Sequence, residues 1–172
     1  MESALVSIIS VALVIVSSVT MMVSSITSFT SIMESWEVME EEADFIRRTD
    51  IAAQPPDSYD GGIIELLVSN EGNTSLSSFS KWDVIARYQT GGIYYIQYTE
   101  ESSPGSNQWT IEGIYLTDNT SVSEIFDPDI LNPGESARLN INLSPEIDPG
   151  DTGLIITSTS QGVTSQCMVS RQ

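Results

Sequence analysis

Few side chains in this sequence have the type and spacing that chemistry requires. The chain has no histidine and a single cysteine. Imidazole acid–base catalysis, histidine–metal sites and serine–histidine triads are therefore excluded, as are an internal disulfide and an all-cysteine zinc site. Cys167 lies beside Met168 and Val169 in an apolar run and reads as a small buried hydrophobe. Asp127-Pro128-Asp129 with Glu135, and Asp148 with Asp151, carry the oxygen ligands that calcium takes. The same residues stand where turns satisfy their own backbone, and no EF-hand spacing is present. Asn-x-Ser/Thr acceptors for glycosylation occur at Asn73, Asn119 and Asn142. Asn73 and Asn119 fall in expected loops. Asn142 falls at a strand end, followed closely by Pro145. No glycine loop for phosphate and no distinctive carboxylate pair appears. The chain reads as a non-enzyme with no cofactor and no metal.

The elements that position these residues show a strong segregation of charge. Asp and Glu number 24 against 6 Lys and Arg, a net charge of −18, yet mean hydropathy is near zero. So acidic a chain cannot neutralise a run of phosphates, which excludes nucleic acid as a partner, and anionic membrane surfaces repel it. Residues 3–33 contain no charge, no proline and no glycine. This run exceeds the ~20 residues that cross a bilayer core. It lacks the basic start and short apolar core of a secretory signal.

The run is rich in Ser and Thr, which let helices approach closely and hydrogen-bond to each other. Apolar residues continue past it at Ile15, Val19, Met22, Ile26, Phe29, Met33, Trp36, Met39, Ala43 and Ile46, a near-heptad seam with one slip. This seam is expected to pack helices from different chains; folding back on its own domain is the other possibility. Glu34, Glu37 and Glu40–Glu42 occupy the opposite face, and Arg47 and Arg48 suit the end of a helix.

After Gln54-Pro55-Pro56 the apolar period changes to two. Strands are expected near 62–69, 83–89, 93–99, 108–116, 136–143, 154–158 and 163–170. Turn sequences separate them, among them Asn70-Glu71-Gly72-Asn73, Thr90-Gly91-Gly92 and Asn132-Pro133-Gly134-Glu135. The expected fold is α+β: a helix over 1–53, a linker over 54–61, and a two-sheet, immunoglobulin-like sandwich over 62–172. Tyr88, Tyr94, Tyr95, Tyr98, Trp82 and Trp109 gather at the first hairpin, either as core or as an exposed patch between subunits.

An uncharged N-terminal helix, its amphipathic continuation and a β-sandwich together resemble the archaeal type IV pilin superfamily. The archaellins and archaellum-associated pilin-like proteins are the nearest in shape. Within the β part, Ile64-Glu65-Leu66-Leu67-Val68-Ser69-Asn70-Glu71-Gly72, Leu131-Asn132-Pro133-Gly134-Glu135 and Gln161-Gly162-Val163 are similar to the family's early strand, late turn and closing hairpin. The resemblance implies a filament subunit held in the membrane as a precursor and trimmed by a prepilin-type peptidase. An ATP-driven platform then extracts it into an extracellular helical homopolymer on the cell surface, for motility or adhesion. No Lys/Arg-Gly leader precedes Met1, so the chain is expected either in processed form or never to be a peptidase substrate. Leu5 stands where bacterial-type pilins often carry glutamate, which favours the archaellin-like branch. The alternative is a membrane-anchored, stator-like binding module that does not polymerise.

Overall fold

The computed structural model describes residues 2–56, 59, 61–88, 92–116 and 122–172. The chain divides into two units, Met1–Asp44 and Phe45–Gln172. One α-helix, α1, runs unbroken over Glu2–Arg48. With no proline or glycine inside it, nothing interrupts the ladder. Arg47 and Arg48 fill its last turn, where cations meet the negative end of the helix dipole.

The helix ends sooner than the sequence reading placed it, because other residues take its terminal carbonyls. Arg48 O accepts from the N–H of Asn73, and Asp50 O accepts from the N–H groups of Glu71 and Gly72. Thr49 donates its hydroxyl to Phe45 O and shares a 2.6 Å hydrogen bond with the hydroxyl of Thr74. Gly72 permits this clasp: a Cβ there would lie 2.5 Å from Asp50 N and 2.6 Å from Arg48 O. The chain then enters a short strand, β1 (Ile51–Gln54), antiparallel to the end of the next. The sequence places residues 51–53 in the helix segment and Gln54 in the linker, with the β region from 62; the structure makes all four a strand.

The other strands follow as β2 (Ile63–Asn70), β3 (Asp83–Tyr88), β4 (Gly92–Tyr98), β5 (Gln108–Leu116), β6 (Glu135–Asn142), β7 (Thr152–Ser158) and β8 (Thr164–Ser170). They form one eight-stranded sheet, ordered β1-β2-β6-β5-β4-β3-β7-β8. Its two antiparallel halves, β1-β2-β6-β5 and β4-β3-β7-β8, meet through a brief parallel pairing of β4 with β5, Gln97 opposite Gln108 and Tyr98 opposite Trp109. On the opposite side, Ala53 N–H of β1 donates to Ser165 Oγ of β8 at 2.8 Å. The expected sandwich is thus curled into a near-barrel.

Alternate residues of both halves fill the interior: Ile64, Leu66, Val68, Val84, Ala86, Ile96, Leu139, Ile141, Ile155 and Val169, with Trp109 fully buried. Burying each Val, Leu or Ile among them is worth about 1.5–3 kcal/mol. A buried polar residue joins this core to the clasp. Asn70 donates its amide to Thr74 O and Leu131 O and accepts from Gly72 N–H. The turn Thr90-Gly91 and the acceptor Asn119 lie outside the described residues.

Candidate assembly site

The helix carries its apolar residues on the outside. Between Val11 and Val16 large side chains occupy nearly every position, so they cover the whole circumference, and all are exposed. Further along, Ile26, Phe29, Met33, Trp36 and Met39 keep to one side and Glu34 and Glu41 lie away from them, but Glu37 borders Met33, Glu40 falls between Met33 and Trp36, and exposed Val38 lies on the other side, so the acids do not all occupy the opposite face as expected. The structure places all ten expected seam residues, Ile15 to Ile46, on this one helix, and each is exposed. The helix is long and apolar enough to cross a membrane, and none of that stretch is buried.

Its hydroxyls do something the sequence reading had not foreseen. Ser10, Ser18, Thr20, Ser25, Thr27, Thr30 and Ser35 each donate to the carbonyl four residues earlier, at 2.8–3.0 Å. Their protons serve the helix's own backbone. A donor satisfied in this way costs little in an apolar medium.

On the β unit the reactive candidates are structural. Cys167 points inward, and burial pushes its thiol up to about 11. Asp127 O and Asp148 O close turns by accepting from Ile130 and Asp151 N–H. The Glu135 carboxylate accepts from Asn132 N–H at 2.7 Å. Among the described residues, no three Asp, Glu or Cys side chains converge as a metal site. Asn142 is engaged, its amide donating to Pro104 O, whereas Asn73 is exposed.

The aromatic group splits between core and surface. Trp82, Tyr88 and Trp109 are buried. Tyr94 stacks on Tyr88 with ring centres 4.6 Å apart, and Tyr98 meets Trp109 edge-on at 5.0 Å. Burial and the nearby Tyr94 and Tyr59 phenols push the Tyr88 hydroxyl up to about 12, and it donates to Pro145 O. Tyr95 faces outward and donates to Asp83 Oδ1.

Two apolar surfaces of the β unit escaped sequence reasoning. The first is the outer face of the β4-β3-β7-β8 half. Strand register lines up Ile93, Arg87, Leu154 and Met168 in one row and Tyr95, Ile85, Ile156 and Gln166 in the next. The outer face of the other half is mixed, with Glu65, Arg138 and Asn140 beside Ile63 and Leu67, and Arg138 bonds Glu112 at 3.4 Å. The second surface is a loop tip, Ile125-Phe126, with Phe126 90% and Ile125 81% exposed. The Glu124 carboxylate braces it by accepting from the N–H groups of Phe126 and Asp127. Those bonds, the Phe126 one first, hold the Glu124 carboxyl below the usual range. An apolar doublet inside an acidic loop was the available sequence signal.

No protein-family model and no curated protein matches the chain. Solved structures do. A chain of the archaeal flagellum of Methanospirillum hungatei strain JF1 aligns over 96% of this chain and 91% of its own, at 13% identity and TM-score 0.59. The archaellum periplasmic stator protein FlaG from Sulfolobus acidocaldarius aligns over 70% of this chain and 98% of its own, at 22% identity and TM-score 0.51. Archaeal flagellin FlaB1 from Methanocaldococcus jannaschii aligns over 70% and 88%, at 10% identity and TM-score 0.51. One long apolar helix followed in sequence by a curled eight-stranded sheet is thus the archaellin-like, pilin-like fold.

Proposed function

We propose that the chain is the structural subunit of an extracellular, archaellum-like helical filament, which polymerises through α1 for motility or adhesion. One observation carries this reading: the extent of exposed, uncharged helix. At ~1.5 Å per residue, residues 3–33 span roughly 46 Å, whereas a bilayer core takes up about 30 Å. The stripe then continues through Trp36 and Met39. A single anchored chain leaves that excess outside the hydrocarbon; copies packed side by side cover it. In this reading the seam from Ile15 to Ile46 packs copies together, the membrane holds the precursor, and an assembly platform extracts it. Exposed Asn73 is a glycan acceptor, and Asn119 is a second.

The alignment over 96% of the chain with a flagellar filament chain supports the proposal. A stator-like, non-polymerising module is the second reading, favoured by the higher identity to FlaG, 22% against 13% and 10%. Electron microscopy of material sheared from cells separates the two. Helical fibres composed mainly of this chain are expected. A chain found only in the membrane fraction, as monomer or dimer, overturns the filament reading.

A further inference from the structure

Two features of the β unit complement each other. The outer face of the β4-β3-β7-β8 half is apolar with one cation near its middle: exposed Arg87 lies opposite Ile93 on one side and Leu154 on the other. Arg87 has no carboxylate partner among the described residues; Asp83, four residues away along the same strand, is engaged by Tyr95. In a chain of net charge −18, this face carries one acid and one base. The loop tip presents the inverse pattern. Its apolar pair Ile125-Phe126 is flanked by Asp127 and Asp129, both exposed. The tip is also built to hold its shape. Glu124 N–H bonds Ile114 O, its carboxylate caps the two N–H groups that follow, and Ile130 N–H closes the turn on Asp127 O.

We propose that the Ile125-Phe126 tip of one copy docks on the β4-β3-β7-β8 face of a second copy, with Asp127 meeting Arg87. The proposal rests on the filament reading. Charge complementarity selects the occupant: an apolar tip between carboxylates fits an apolar face around an arginine. Area argues for a copy already held nearby. Two rows across four strands, at ~4.8 Å between strands and ~6.8 Å between same-face residues, cover roughly 250 Å². A free-standing complex needs about 800 Å² per partner, so this contact is too small to recruit a soluble protein. It suffices between copies that their helices keep at high effective concentration. Because tip and face are different surfaces, the contact is head-to-tail, and it repeats as an open helix when the rotation between copies does not close.

Cross-linking in assembled full-length chains tests this contact. Filaments of a chain carrying both Ile93→Cys and Phe126→Cys, treated with a short bismaleimide, are expected to give a ladder of dimers, trimers and longer species. Each single variant alone gives none, and mixing the two single variants gives dimers only. Wild-type filaments, whose Cys167 is buried, give none. Arg87→Asp is expected to lower the yield about two- to fivefold, the worth of an exposed ion pair, and adding Asp127→Arg restores it. Normal filaments without a ladder overturn this contact while leaving the filament reading intact. Dimers from either single variant, or products with a different polypeptide, also overturn it. A wild-type chain that forms no filament removes both readings together.

Discussion

Asn70→Asp converts a buried hydrogen-bonding hub into a pH-dependent fault. Asn70 is 1% exposed, and its amide points at two carbonyls, Thr74 O at 2.7 Å and Leu131 O at 3.0 Å. A protonated carboxyl keeps the bond from Gly72 N–H and can donate to one carbonyl, so it leaves the other unpaired, at about 1–3 kcal/mol. An ionised carboxylate donates to neither and sits against both, without water. Its folded-state pKa therefore rises above the ordinary ~3.9 of the unfolded chain. Below that value both states hold the proton and only the lost bond is felt. As pH rises, the unfolded chain releases the proton and the folded one does not. Stability then falls by about 1.4 kcal/mol per pH unit until the folded pKa is reached.

Between pH 4 and pH 7 the added loss approaches about 4 kcal/mol, against the ~5–15 kcal/mol that a domain possesses. Urea unfolding of residues 45–172 reads this through Trp82 and Trp109, both buried. The quantity to follow is variant minus wild type, because the many native carboxylates titrate in both. Leu139→Ala is the control: a cavity costing about 2–5 kcal/mol at every pH. A variant–wild-type difference that stays flat from pH 4 to 7 refutes the assignment of the Asn70 amide to those two carbonyls.

Phe29→Glu is expected to abolish filaments, because it puts a charge into the helix seam, while residues 45–172 unfold with unchanged stability; normal fibres by electron microscopy contradict it. Truncation at 57, in contrast, removes β1 and should destabilise the β unit. Filaments should tighten as salt or divalent ions rise, since a shell of like charge is screened over ~10 Å at 0.1 M; equal stability to dilution in very low salt argues against a close-packed acidic shell. Cys167, with its thiol pushed up to about 11, should resist alkylation at pH 8 until the chain unfolds. Mass spectrometry of subunits from sheared filaments should find a glycan on Asn73, lost in Asn73→Gln, and none on Asn142.

Much of this architecture was legible because local pattern and tertiary environment agree. The strand at 108–116 appears at its expected ends, and the helix follows from a run with no charge and no breaker. What stayed hidden depends on distant partners. Ile51-Ala52-Ala53-Gln54 carries little strand preference and is a strand because Leu67–Asn70 pairs with it. The parallel meeting of β4 and β5 rests on two residue pairs that no periodicity announces. The apolar outer face arises from register among β3, β4, β7 and β8, whose members are spread from Ile85 to Met168. Phe126 is exposed on a tip where Glu124 turns back to cap its N–H, a contact no periodicity announces.

The back-bonded hydroxyls of α1 bear on how a subunit changes surroundings. On the filament reading, leaving lipid for a fibre exchanges acyl chains for neighbouring helices. Because Ser10, Ser18, Thr20, Ser25, Thr27, Thr30 and Ser35 give their protons to their own backbone, that exchange breaks none of these bonds and requires no new ones. For these seven hydroxyls the two environments are then nearly equivalent. On that reading, the wiring that lets these hydroxyls leave the bilayer would also let them return.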